Sequence, residues 1–135
     1  MNAAEILRER GIQPSAHRLA IAEFVLATER HPSADQVWDA VRAEFPMVSR
    51  ATVYNTLNLF VQKGLLRQLT LAEGRSVFDP NVRPHHHFVD EETGEIHDVP
   101  WDALEVHRVD ALKDVEVREY QVILRGKKRP ASEEP

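Results

Sequence analysis

His85-His86-His87 is the most chemically loaded stretch of this chain, and it runs directly into Phe88-Val89. In a strand, alternate side chains share a face, so His85 and His87 would project together and His86 opposite. Two neutral imidazoles so paired form a chelating arrangement for Zn, Fe, Mn or Ni. The run is internal, which excludes an expression tag, and its surroundings are otherwise acidic. A polar surface run is the bland alternative. Asp79 and Asp98 are the carboxylates best placed to complete a ligand set, since each is a single acid beside apolar strand positions. The run Asp90-Glu91-Glu92 reads as a solvated turn. His31, at the break before a helix, is a more distant candidate, and alone it reads better as a loop histidine. No nucleophile or general-base signature accompanies these residues, so an enzyme is not expected.

Composition narrows the chemistry. The 135 residues contain no cysteine, so disulfides, thiol catalysis and thiolate metal sites are excluded. Seventeen basic and 22 acidic residues give a net charge of −5. Residues 1–80 hold nine of each sign and are neutral; residues 81–135 hold eight basic and 13 acidic and carry the whole −5. The N-terminus lacks an apolar signal core, and no window offers 18 uninterrupted apolar residues. A soluble cytoplasmic protein is the expectation.

The elements that would carry these residues fall into two halves. Helices are predicted over Ala3–Arg10, with Gly11 the stop, and over Ser15–Thr28. Ser33 and Gln36 have the spacing of a capping box, and Pro46 is the predicted stop of the helix they open. Ser49 caps a fourth helix whose buried stripe is Val53, Leu57, Phe60 and Val61, and Gly64 ends it. Leu65–Leu71 and Arg75–Phe78, joined at Glu73-Gly74, then read as a β-hairpin. Helix, turn, helix and hairpin is the layout of a winged helix-turn-helix. Beyond Asp79–Pro84, a strand holds Ile96 and Val99, a helix is predicted over Trp101–Leu112, and Val115–Leu124 reads as a strand or strand pair. The predicted fold class is α+β. A winged-helix DNA-binding domain spans 1–80, a hinge 81–84, and a small α/β dimerisation domain 85–135. So small a second unit is not expected to be stable alone and would pair with its own copy. The tail from Pro130 to Pro135 reads as frayed.

Ser49–Lys63 would be the recognition helix. Its buried stripe leaves Arg50, Ala51, Tyr54, Asn55 and Asn58 on other faces. Arginine reads guanine, asparagine reads adenine, and Ala51 or the Thr52 methyl can touch a thymine methyl. Ser49 at the helix start can hold a phosphate. Phe45 to Arg75 contains Arg50, Lys63, Arg67 and Arg75 against Glu73 alone, a local +3 in a chain of net −5. Site-limited contact with double-stranded DNA fits that reversal.

Together, His31-Pro32-Ser33-Ala34-Asp35-Gln36-Val37, Ser49-Arg50-Ala51-Thr52-Val53-Tyr54-Asn55-Thr56-Leu57, Leu65-Leu66, Phe78-Asp79 and the triple histidine resemble the Fur family of metal-dependent repressors. The resemblance covers nearly the whole chain. It implies a winged-helix domain hinged to a dimerisation domain, with a regulatory metal between them on His31, Asp79, His85, His87 and Asp98. Three imidazoles and two carboxylates suit Fe²⁺ or Mn²⁺, with Zn²⁺ a further occupant in vitro. Aspartate at both carboxylate positions looks like the peroxide-sensing PerR type, in which bound iron leads to oxidation of ligand histidines; here the implied targets are His31 and His85. The alternative is an iron- or haem-responsive regulator of the Fur/Irr type. A palindromic operator and a homodimer, with no membrane association, are implied as well. The family's structural zinc, held by two Cys-x-x-Cys pairs, has no counterpart: the first pair's positions fall on Asp90 and Thr93. A weaker second metal site would fall on His86, Glu105 and Glu119. His17, His97 and His107 receive no role.

Overall fold

The structure, a computed structural model, describes residues 1–28, 30–71 and 74–131. The chain divides into two compact units, Met1–Val82 and Arg83–Pro135. No described helix is long and apolar enough to cross a membrane.

The first unit is built on helices that begin where short polar side chains can satisfy free backbone N–H groups. These are α1 (Ala3–Glu9), α2 (Ala16–Ala27), α3 (Ala34–Val41) and α4 (Arg50–Gln62). Asn2, Ser15, Ser33 and Ser49 cap them, and Ser33 with Gln36 forms the full reciprocal capping box. α3 ends at Val41, before Pro46; residues 42–45 continue as turns. Leu7, Ile21, Val25, Val37, Val53, Leu57 and Phe60 are fully buried and form the core, to which Leu66 and Phe78 of the hairpin region add. Thr56 joins the buried face of α4 by returning its hydroxyl to the Thr52 carbonyl at 2.8 Å. Val61, placed by the sequence in the same stripe, is only half-buried.

Gly64 ends α4 with φ +78°, a conformation that costs a Cβ-bearing residue and glycine little. A Cβ there would also stand 3.0 Å from the Arg10 guanidinium. The hairpin follows as β1 (Arg67–Thr70) and β2 (Ser76–Asp79), antiparallel with Arg67 opposite Asp79. Gly74 has φ +75°, while Glu73, the other predicted turn residue, lies outside the described residues. So does the end of the tail, from Ser132 onward.

The second unit is a three-stranded sheet in the order β4-β3-β5: β3 (His86–Asp90) at the centre, β4 (Ile96–Val99) antiparallel to it and β5 (Ile123–Gly126) parallel. Here the sequence reading needs correction. The helix predicted over Trp101–Leu112 does not form; the segment holds only single 3₁₀ turns at Trp101–Ala103 and Val109–Ala111. Of the strand expected over Val115–Leu124, only the part from Ile123 is paired. The cause is the lack of a packing surface. Short amphipathic helices depend on burial of their apolar face, and Val106, Leu112, Val115 and Val117 are all exposed.

The β3–β4 turn is held by Asp90, a buried side chain rather than the solvated one its acidic neighbours suggest. Its carboxylate accepts N–H groups from Glu92 at 2.9 Å and Thr93 at 3.3 Å. These bonds, that of Glu92 foremost, hold its pKa below the ordinary 3.8. A depressed carboxylate pKa adds stability above the unfolded value that is lost as pH falls through the folded one. The thermal midpoint of Asp90→Asn is therefore expected to lie below wild type at pH 7. The gap should close as pH drops below about 3.8, which a pair of melting series would read directly.

Candidate metal centre and nucleic-acid interface

In the first unit, His31 and Asp79 come from distant points of the chain. The Phe78 N–H donates to the Pro32 carbonyl at 2.9 Å, tying β2 to the segment before α3. The next residue, Asp79, then meets His31, with Nε2 and Oδ2 3.1 Å apart and both side chains buried. Asp79 also accepts the Asn81 N–H at 2.9 Å through its other oxygen. His31 has φ +54°, a strained conformation for a residue that precedes proline. Such strain persists only where surrounding contacts over-determine it, and it concentrates at functional sites.

In the second unit, strand register does the positioning. His87 lies opposite Asp98 in the β3–β4 ladder. The Asp98 carboxylate stands 3.2 Å from His85 Nε2 and 3.6 Å from His87 Nε2, and the two imidazole rings are 4.4 Å apart. The opposite ends of both rings are held. His85 Nδ1 lies 2.6 Å from the Arg83 carbonyl and His87 Nδ1 lies 2.9 Å from Gln121 Oε1. Each carbonyl oxygen can only accept, so both rings carry a proton on Nδ1, which leaves Nε2, facing Asp98, as the nitrogen available to a metal. With both imidazoles neutral, two Nε2 lone pairs and the Asp98 carboxylate form a donor set able to hold a cation. A fixed Nδ1–H partner on each ligating imidazole is how metal sites orient their histidines. The donor set therefore fits a divalent metal.

His86 is built the other way round. Its Nδ1 accepts the Val122 N–H at 2.9 Å, so its proton is on Nε2 and no ring lone pair remains for a metal. The ring is buried and stacks on Trp101 at 4.7 Å, and Trp101 packs in turn against Tyr120. Glu105 sits beside His107 and Glu119 beside Arg118. The second metal site that resemblance suggested on His86, Glu105 and Glu119 does not assemble among the described residues. His86 serves packing instead. Gln121, which orients His87, carried no signal in the sequence, because only the fold brings it to β3.

The α4 face predicted to meet DNA is open. Arg50, Tyr54 and Asn55 are exposed, as are Ala51 and Asn58. Ser49 accepts the Thr52 N–H at 3.0 Å, and the two hydroxyls are 2.9 Å apart, so both are occupied in starting the helix. Arg75 is exposed beside β2, whereas Arg67 is half-buried on β1.

A helical unit ending in a two-stranded wing, followed by a small sheet that brings His85, His87 and Asp98 together, is the architecture of a winged-helix, metal-dependent regulator. The model of the ferric uptake regulator family matches residues 9–125, and the chain belongs to that family. The peroxide-responsive repressor PerR of Staphylococcus aureus strain Mu50 is 33% identical over 122 residues, which is 89% of this chain and 82% of that protein. The crystal structure of the Vibrio cholerae ferric uptake regulator superposes with a TM-score of 0.74 at 27% identity, covering 93% of this chain and 98% of that one. PerR from Streptococcus pyogenes gives 0.54 at 28% identity, over 95% and 92%.

Proposed function

We propose that this protein is a homodimeric repressor that binds a palindromic site in double-stranded DNA when Fe²⁺ or Mn²⁺ is held by His31, Asp79, His85, His87 and Asp98, and that it releases DNA on exposure to peroxide. The observation that carries the reading is the convergence of the His85 and His87 lone pairs on Asp98. His31 and Asp79 form a buried pair of the same chemistry on the first unit. An ion shared by both sets favours one arrangement of the two units by its differential affinity for that arrangement. In a dimer this fixes the separation of two α4 helices to about one DNA turn or a multiple of it. The exposed Val106, Leu112, Val115, Val117 and Leu124 supply apolar surface for a partner copy.

Aspartate as the carboxylate on both units, and the PerR relatives, favour peroxide as the signal. Bound ferrous iron would supply the electrons that activate peroxide beside the ligands. His31 and His85 would then take one oxygen atom at an imidazole C–H, with water as the other product. An oxidised ring is a poorer donor, so the site weakens and the DNA-binding arrangement is lost. No cysteine is needed. The test is a mobility shift with Mn²⁺, with Fe²⁺, and with Fe²⁺ plus peroxide, alongside peptide mass spectrometry. The expected result is DNA binding with either metal, lost only in the third case with an addition of about 16 mass units, one oxygen, on His31 or His85. Loss of binding without that addition would favour an iron- or haem-responsive regulator. Binding indifferent to all three conditions would sink the proposal.

A further inference from the structure

The indole of Trp38, on α3, is a platform for two guanidinium groups. The Arg42 guanidinium carbon lies 4.1 Å from the ring centroid and that of Arg50 lies 4.7 Å from it. The indole Nε1 donates to the Val48 carbonyl at 3.1 Å, in the turn that leads into α4. Each guanidinium also has a carboxylate partner. Asp39 pairs with Arg42, and Asp35 stands 3.3 Å from Arg50. The result is a five-membered ladder, Asp39–Arg42–Trp38–Arg50–Asp35, whose charged ends are largely exposed at the start of α4.

We propose that this ladder is a phosphate clamp kept in a self-occupied state: Arg42 and Arg50, held by Trp38, each meet the DNA backbone, and Asp39 and Asp35 are the anions that backbone phosphates displace. The inference rests on the DNA-binding reading above and adds to it a new contact, Arg42, a positioning residue, Trp38, and a reason for two acids beside the DNA-binding face. Guanidinium groups stacked on an indole keep their N–H edges free for an anion. Exposed ion pairs are weak and readily exchanged, so the carboxylates yield to a well-placed phosphate. On poorly fitting DNA they do not yield, and their charge repels the backbone. The ladder thus trades non-specific affinity for selectivity.

The experiment is a fluorescence anisotropy titration of the Mn²⁺-loaded protein across a salt series. Two duplexes are used, one of random sequence and one selected by the protein from a random pool. Circular dichroism checks the fold of each variant. Arg42→Gln should weaken binding to both duplexes about fivefold or more and lower the salt slope by about one, the signature of one lost phosphate contact. Asp35→Asn should tighten binding to the random duplex about threefold or more while gaining less on the selected one. Trp38→Phe keeps an aromatic face and should stay within about twofold of wild type, whereas Trp38→Leu should match Arg42→Gln. An unchanged slope and affinity in Arg42→Gln, or weaker random-duplex binding in Asp35→Asn, would overturn the clamp while leaving DNA binding intact. Failure of the wild type to bind either duplex would overturn the DNA-binding reading and the clamp with it.

Discussion

Replacing Asp98 by alanine is expected to weaken Mn²⁺ binding by about 100-fold or more while the protein stays folded. Asp98 is the carboxylate that both His85 Nε2 and His87 Nε2 face, at 3.2 and 3.6 Å, and its side chain is 42% exposed. Its loss removes the negative charge opposite two lone pairs without opening a hole in a packed core. Changing even a residue that only orients a ligand costs roughly 10–100-fold in metal affinity, so removing a direct donor should exceed that range. Gln121→Leu is the natural companion. It removes only the acceptor for His87 Nδ1, and a loss of about 10-fold is expected. Glu105→Ala should change nothing, since Glu105 is an exposed partner of His107 far from any ligand role. Isothermal titration with Mn²⁺ separates the three. Equal affinity in wild type and Asp98→Ala would show that the convergence of imidazoles on Asp98 is not a metal site.

The largest effect on stability is expected from Phe60→Ala. Phe60 is fully buried in the core of the first unit, among the largest side chains there. Truncating such a phenylalanine costs about 3–5 kcal/mol through lost burial and the cavity left behind. Against the about 5–15 kcal/mol available to a typical domain, that is a large share of the total. The two tryptophans divide conveniently, Trp38 in the first unit and Trp101 in the second. In urea titrations of Trp101→Phe protein, the Trp38 emission should report the full shift to lower denaturant. In Trp38→Phe protein, the Trp101 transition should move much less. Parallel movement of both would mean that the units unfold together.

Much of the first unit was legible because its signals are local. A serine three residues before a glutamine satisfies two backbone N–H groups whatever lies elsewhere, so Ser33 and Gln36 announced α3. Gly64 ended α4 for an equally local reason, its positive φ. The period-two rule separated His86 from His85 and His87 correctly, since alternation is a property of any strand. What failed was the stretch after Pro100. Leu104, Val109 and Leu112 have helical spacing, but spacing promises a helix only if something covers the apolar face; here Leu112 is exposed and Leu104 and Val109 are only half-buried. The buried role of Asp90 was missed for a related reason: its neighbours Glu91 and Glu92 are exposed, and no composition argument separates one acid of a run from the next. At the positions where resemblance places a cysteine pair, Asp90 and Thr93, a carboxylate accepting backbone N–H groups now secures the turn.

Composition alone limits the kinds of atoms available. Without cysteine, the donors are imidazoles and carboxylates, and the acidic surplus lies wholly beyond residue 80. In the first unit the sequence also sets where the helices begin, because capping acts over three or four residues. Which of those donors meet is a matter of the fold. The β3–β4 register sets Asp98 opposite His87, and the bond from Phe78 to Pro32 brings Asp79 to His31. Hydrogen bonds to the Arg83 carbonyl and Gln121 Oε1, and one from the Val122 N–H, then decide which nitrogen of each imidazole is occupied. Three adjacent histidines are chemically identical in a sequence. Their partners in the fold turn the Nε2 of two of them toward Asp98 and make the third a part of the packing.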